Sequence, residues 1–236
     1  TIWDDSLISS DIARRTLKSI MNANIFDFPK SVELIKRMLQ ISTDKDSIVL
    51  DFFSGSATTA HAVLELNNED GGTRKFIMVQ LPEETPISSA AYKNGYKNIC
   101  QIGKERIRRA GEIIANSSPS SLDVGFRVLK LDSSNMQQVW YTPNEYVAKD
   151  LFETTVDNVK SDRSAEDLLF QAMLELDCPL SSKIETMIIN GKTLYNIADG
   201  YLMACFEEGI TDEIISEIAK KQPYYFVMRD CSLAND

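Results

Sequence analysis

The sequence predicts an α/β fold over residues 1–122, followed over 123–236 by a smaller α/β or α+β domain. Three observations carry this reading. Ser47-Ile-Val-Leu-Asp-Phe-Phe is apolar and β-branched, then aromatic, as a short, fully buried strand is. The run breaks at Ser54-Gly55-Ser56, small residues that let the backbone turn tightly and come close to a ligand. Ala57, Ala60, Ala62, Val63, Leu64 and Leu66 then read as a helix, and Lys75-Phe-Ile-Met-Val-Gln-Leu81 as a second buried strand. Strand, helix, strand at this spacing requires a parallel pair joined by a right-handed crossover.

The elements follow in order. A helix starts near Ser10 or Asp11, with Ile12, Leu17, Ile20 and Met21 on one face. Ile25-Phe-Asp-Phe-Pro-Lys-Ser31 is an extended turn, because Pro29 fixes its own φ and biases Phe28 away from helix. Ser31 is the expected N-cap of a second helix carrying Val32, Leu34, Ile35, Met38, Leu39 and Ile41. Beyond the second strand, residues 85–98 are irregular, and Ile99 to Ala115 forms a helix. From Gly125 the texture changes. Phe126–Leu131 alternates like a strand, with Trp140 and Tyr141 as expected anchors further on. Ser164–Leu176 is an amphipathic helix. Met187–Ile189 and Thr193–Ile197 flank Asn190-Gly191, the preferred two-residue hairpin turn. Tyr201–Phe206 is a strand, Thr211 caps a helix running to Lys220, and Tyr224–Met228 is a last strand.

Composition narrows the function classes. The 236 residues are 43% hydrophobic, enough for a real core, and no apolar run is long enough to span a membrane. A chain opening on Thr1 in mid-pattern reads as part of something longer. Cys100, Cys178, Cys205 and Cys231 are too widely spaced for a metal motif or a disulfide framework, so a cytoplasmic location is expected. His61 is the one histidine and reads as a structural helix residue, so neither a metal centre nor a histidine triad is expected. The net charge of −10 is uneven: residues 1–125 hold 15 basic and 16 acidic side chains, and residues 126–236 hold 10 and 19. Phosphates should therefore be repelled by the second half, while the first half has Lys93, Lys97, Lys104, Arg106, Arg108 and Arg109 as a solvated or DNA-facing helix surface. Glu83-Glu84 and Glu207-Glu208 read as surface charges at strand ends.

The chemistry gathers at Asp51-Phe52-Phe53-Ser54-Gly55-Ser56. Strand, small-residue loop and helix place backbone N–H groups of the helix start toward a ligand. No Lys follows Gly55 at phosphate-loop spacing, and the loop is poor in glycine for a dinucleotide fingerprint. An acid at the strand end favours a ligand bearing an amino group over a pyrophosphate.

Asp51-Phe-Phe-Ser-Gly-Ser-Ala-Thr-Thr-Ala-His-Ala-Val63 resembles the S-adenosylmethionine loop of amino-DNA methyltransferases. Asp27-Phe-Pro-Lys-Ser-Val-Glu-Leu-Ile35 resembles their other cofactor segment, which in one permuted class precedes the loop, as it does here. The similarity continues through Asp70–Glu83 and from Gly95 to Arg109, and it resembles the modification subunit of type III restriction systems. The resemblance implies a partial Rossmann-like, S-adenosylmethionine-dependent fold and assigns roles. Phe28, Pro29 and Lys30 would meet the methionine end, Lys30 pairing with its carboxylate. Asp51 would face the amino group. Phe52, Phe53, Ser54, Gly55 and Ser56 would line the pocket, Thr58 and Thr59 would begin the helix over it, and Gln80 would bond the ribose. Ala57 stands where many members have a second glycine. The implied reaction is methyl transfer to adenine N6 in duplex DNA, N4 of cytosine being chemically close. The implied partners are a restriction subunit and a second modification subunit.

The catalytic Asp-Pro-Pro-Tyr of such enzymes, which receives a flipped base, is absent: the seven prolines include no Pro-Pro. In the permuted order it would lie before Thr1. Gln222-Pro-Tyr-Tyr225 lacks its acid and reads as a loop entering a strand. No catalytic residue is assigned, and the chain alone is expected to be inactive. Two other readings remain open, an acidic subunit-interaction module and another nucleotide binder of the same fold.

Overall fold

The computed structural model describes residues 6–117, 122–137 and 158–234. Trp140 and Tyr141 lie outside the described residues. The chain forms two compact units, Thr1–Phe126 and Arg127–Asp236.

The first unit opens on α1 (Ser10–Met21), whose N-cap Ser9 accepts from the Ile12 N–H. Its buried face, Leu17, Ile20 and Met21, joins Ile25, Ala91 and Ile102 in one core cluster. Ser31 caps α2 (Val32–Ser42), accepting from the Leu34 N–H and donating from the same hydroxyl to Leu7 O at 3.0 Å. β1 (Ile48–Asp51) and β2 (Lys75–Met78) pair in parallel with Ile48 opposite Lys75 and Asp51 opposite Met78. The crossover between them is α3 (Thr58–Asp70), ended by Gly71 at φ 68°. A short α4 (Ala90–Lys93) interrupts the irregular segment, and α5 (Ile99–Ser117) follows.

One expectation fails here. Neither strand is fully buried. Val49, Phe76 and Met78 pack against α2, α3 and α5, but Ile48, Leu50 and Ile77 are 65%, 58% and 51% exposed. Side chains alternate across a strand, and among the described residues helices cover one face of this two-stranded sheet. The apolar run was read as two buried faces; one of them is bare.

The second unit is a four-stranded sheet in the order β3 (Ile184–Ile189), β4 (Lys192–Ile197), β5 (Leu202–Cys205), β6 (Tyr225–Met228). The first three strands are antiparallel neighbours, and β5 and β6 pair in parallel. The hairpin turns through Asn190 and Gly191 at φ 47° and 80°, as a type I′ turn requires. α6 (Ala165–Glu175) carries a full capping box from Ser164 and Asp167. α7 (Asp212–Lys220) connects β5 to β6; Thr211 sits at its N-cap but makes no capping bond. Leu202 and Ala204 of β5 join the α6 core, while Met203 and Cys205 join the α7 core. All four are buried because β5 has a helix on each face.

Phe126–Leu131 forms no strand. Leu131 is 99% exposed, and the segment is tethered by its side chains: the Arg127 guanidinium donates to the carbonyls of Leu180 and Ser182. Glu207 also departs from a free surface charge, accepting from the Thr193 N–H at 3.0 Å.

Candidate functional site

The turn that leaves β1 is held from several directions. The strand pairing extends past β1, with Val79 N–H donating to Asp51 O at 2.8 Å and Ser54 N–H to Val79 O at 3.2 Å. The Asp51 carboxylate then folds back along the loop. Its Oδ1 accepts from the Phe53 N–H at 3.1 Å and its Oδ2 from the Thr59 hydroxyl at 2.6 Å. From the end of β2, Gln80 Oε1 accepts the Gly55 N–H at 2.7 Å. The Cys100 thiol on α5 donates to Gln80 O at 3.3 Å. Gly55 and Ala57 both lie in the left-handed region, at φ 51° and 58°. Glycine takes that conformation freely; alanine takes it at a cost of about 1–2 kcal/mol.

Asp51, Ser54, Gly55, Thr59 and Gln80 therefore form one interlocked group. The segment before α2 reaches it through Phe26: a Cβ on Gly55 would lie 3.5 Å from Phe26 Cζ. In that segment Pro29 is buried, while Phe28 is 74% exposed and Lys30 is exposed with no ion pair among the described residues. Phe52 and Phe53 are exposed too, their rings 5.1 Å apart. The first helical bond of α3 runs from His61 N–H to Ala57 O at 3.3 Å. The amides of Thr58, Thr59 and Ala60 at the helix start thus lack a helical acceptor. Two exposed rings, Phe52 and Phe53, thus stand on a turn that is held by the bonds of Asp51, Ser54, Gly55, Thr59 and Gln80.

Ser56 and Thr58 do not point outward. Both are buried, and their hydroxyls accept from Arg106 Nη1 at 3.0 and 2.7 Å, with Ser56 O accepting from the same nitrogen at 3.2 Å. Arg106 is fully buried on α5, so it is removed from the basic helix surface expected from the sequence. Arg108 and Arg109 both pair with Glu105, at 2.7 Å for Arg109. Burial pushes the Arg106 guanidinium down to about 10, partly offset by the Glu65 carboxylate.

Behind Arg106 a chain of polar groups runs through α3 to α2. Arg106 Nη2 stands 3.5 Å from His61 Nδ1, and His61 Nε2 stands 2.9 Å from Glu65 Oε1. The donor on one side and the carboxylate on the other assign the proton to Nε2. Burial lowers the His61 pKa from its ordinary 6.5, the positive charges of Arg106 and Lys36 push the same way, and Glu65 opposes them. Lys36 Nζ lies 3.3 Å from Glu65, 2.5 Å from Glu69 and 3.4 Å from Glu33. Although burial lowers its pKa, the Glu69 and Glu65 carboxylates raise it to about 12. His61 has the structural part expected of it, and no cluster of metal-ligating side chains occurs among the described residues.

Phe26 and Gly103 carry no role in the sequence reading, and Arg106, expected on the basic helix surface, is buried instead. A Cβ on Gly103 would sit 3.4 Å from both Ala57 Cβ and Gly55 O, so α5 meets the loop where it lacks a side chain. The signal for Arg106 was its place in the stripe Ile102, Gly103, Ile107, Ala110, Ile114, the buried face of α5. Gln222-Pro-Tyr-Tyr225 enters β6 in the second unit, with Tyr224 stacked on Tyr201 at 5.7 Å. Among the described residues no helix is long and apolar enough to cross a membrane.

Comparison with known proteins adds a family to this geometry. Residues 1–85 match the family model of the DNA methylases of the N6/N4 type. The chain is 39% identical over 138 residues to the StyLTI Mod subunit, a type III restriction-modification enzyme of Salmonella typhimurium, covering 58% of this chain and 21% of that protein. It is 40% identical over 129 residues to the EcoPI Mod subunit of Escherichia phage P1, covering 55% and 20%. With the type II methyltransferase M.KpnI of Klebsiella pneumoniae it shares 36% over 107 residues, 45% of this chain and 26% of that one. These matches span about a fifth to a quarter of the relatives' length. The chain is thus Mod-subunit-like: it matches a DNA methylase family model at residues 1–85 and is similar to type III modification subunits over more than half its length.

Proposed function

We propose that the first unit is the S-adenosylmethionine-binding part of a DNA methyltransferase that modifies adenine N6 within a type III restriction-modification system. The observation that carries this reading is the approach of Phe26 to Gly55, where an added Cβ would lie 3.5 Å from Phe26 Cζ, because Phe26 is two residues from the Phe28-Pro29-Lys30 segment. The donor set suits the cofactor. Lys30 offers an unpaired ammonium for a carboxylate, and Phe53, 81% exposed, offers a ring face for an aromatic base. The first-turn amides of α3 add donors at the positive end of a helix. Asp51 and Gln80 would act differently from a simple contact, since both already brace the loop. Each Asp51 oxygen retains a lone pair for an ammonium, and Gln80 Nε2, now on Leu81 O, is the group free to turn toward a hydroxyl.

When bound, the cofactor supplies an electrophilic methyl on its sulfonium. The chain's own residues would bind and orient that donor. An acceptor for the base is a separate requirement, and the sequence contains no Asp-Pro-Pro-Tyr. Duplex DNA, a restriction subunit and a second modification subunit are the partners this reading assigns to the whole protein, with the acidic second unit as a subunit contact.

Calorimetry with S-adenosylhomocysteine, with NAD as the control ligand, tests the reading. Binding of the first and not the second, weakened by Lys30→Ala, is the expected result. NAD binding, or binding of neither, would overturn it. The chain alone is expected to transfer no methyl group from labelled cofactor to duplex DNA.

A further inference from the structure

We infer that Arg106 is a positioning residue: from α5 it fixes the Ser54–Thr58 turn, and with it the start of α3, in the conformation that the ligand meets. The inference rests on the cofactor reading for the ligand's identity, but its geometry is independent of it. One nitrogen, Nη1, takes the Ser56 carbonyl, the Ser56 hydroxyl and the Thr58 hydroxyl. These groups flank Ala57, the non-glycine residue held at φ 58°. The clamp therefore grips the residues on both sides of the strained one. Gly103, one turn earlier on α5, leaves the room in which Ala57 Cβ packs.

Stability alone does not explain an arginine here. Its guanidinium is wholly buried, and its Nε has no hydrogen-bond partner among the described residues. A cation at a helix N-terminus is repelled by the helix dipole. An apolar residue of similar volume commonly matches or exceeds the stability of a buried ion. What an apolar residue cannot do is engage Ser56 and Thr58. With their oxygens turned inward, the carbonyl and hydroxyls do not compete for the helix-start amides. His61 supports the same arrangement from behind as a neutral acceptor for Nη2.

The test compares the full chain with Arg106→Met, Arg106→Lys and Thr58→Val. Amide hydrogen exchange is read at Ser54, Gly55 and Ala57, whose N–H groups donate to Val79 O, Gln80 Oε1 and Ser54 O, and at Val63 and Leu64 in the helix body. Affinity for S-adenosylhomocysteine is measured alongside. Arg106→Met is expected to speed exchange in the turn at least tenfold while leaving Val63 and Leu64 within twofold, and to weaken binding at least tenfold. Arg106→Lys, which keeps the charge but reaches fewer acceptors, should fall between. Should Arg106→Met fail to fold, Thr58→Val removes the shortest bond and should raise turn exchange about threefold. Unchanged exchange in the turn, or an equal rise throughout α3, would overturn the positioning role. Local loosening of the turn in a chain that never binds S-adenosylhomocysteine would leave that role standing and overturn the cofactor reading instead.

Discussion

Asp51 offers a test of whether the loop or the ligand is its main partner. The resemblance assigned its carboxylate to an ammonium, yet both oxygens already accept bonds, from Thr59 at 2.6 Å and Phe53 N–H at 3.1 Å. A hydrogen bond to a charged acceptor contributes about 1.5–3 kcal/mol, and Asp51 is half-exposed, which puts the shorter bond near the low end. The longer bond to Phe53 adds about 1 kcal/mol. Asp51→Ala should therefore cost about 2.5 kcal/mol of unfolding free energy. Thr59→Val should cost about 1.5, and the double variant should show a coupling of similar size. Urea unfolding of the four proteins measures the cycle. Binding of S-adenosylhomocysteine then separates the two roles. If Asp51 acts by shaping the loop, Thr59→Val reproduces most of the affinity lost in Asp51→Ala. A cycle with coupling under about 0.5 kcal/mol, or a Thr59→Val protein that binds as wild type while Asp51→Ala does not, would refute this reasoning.

Three further outcomes follow from the same contacts. Lys36→Met leaves Glu33, Glu65 and Glu69 facing one another without their common cation, and should cost about 2 kcal/mol in urea unfolding, between the values for exposed and buried pairs. The lowered pKa of His61 means that below its ordinary 6.5 the unfolded chain takes up a proton that the folded chain refuses. Stability then falls as pH drops below 6.5, with a slope of up to about 1.4 kcal/mol per pH unit, and His61→Gln should flatten that part of the profile. Glu65, whose pKa lies below the ordinary 4.5 because His61 and Lys36 outweigh burial, adds a loss at still lower pH as its carboxylate is protonated. Gly191→Ala places a side chain at φ 80° with no steric neighbour, so its cost in urea unfolding should be the backbone term alone, about 1 kcal/mol.

Local signals were read well from the sequence, and long-range ones were not. Ser31 as an N-cap, the Asn190-Gly191 turn and the β-α-β spacing each depend on residues within a few positions, and each occurs in the structure. Strand burial does not have that property. Ile48 and Leu50 are as apolar as Val49, and the difference between 65% exposed and packed lies in what stands on each face of the sheet. Phe126–Leu131 alternates as a strand does, but a strand needs a partner, and Arg127 secures the segment by other means. At the site, Asp51 to Ser56 are legible as one loop because a contiguous motif holds them. Arg106 was assigned to the surface because its charge was weighed ahead of its position among Ile102, Ile107 and Ala110. Fifty residues separate it from Ser56, and no local pattern links the two.

The loop is over-determined from within and bare from without, and this asymmetry ties its stability to its proposed task. Inside, Asp51, Gln80 and Arg106 bond the turn from β1, β2 and α5. They hold Ala57 against its conformational preference without a ligand's help, so little ordering is left to offset on binding. Outside, Lys30, Phe28, Phe52 and Phe53 are exposed, and three rings in water forgo the burial that usually offsets the cost of ordering them. A fold would not ordinarily spend three braces on a surface turn beside unburied aromatic side chains. The combination makes sense if the turn must be rigid before its ligand arrives and the rings are covered when it does. Loss of a brace should then cost more in affinity than in global stability, whereas loss of a ring should cost affinity alone.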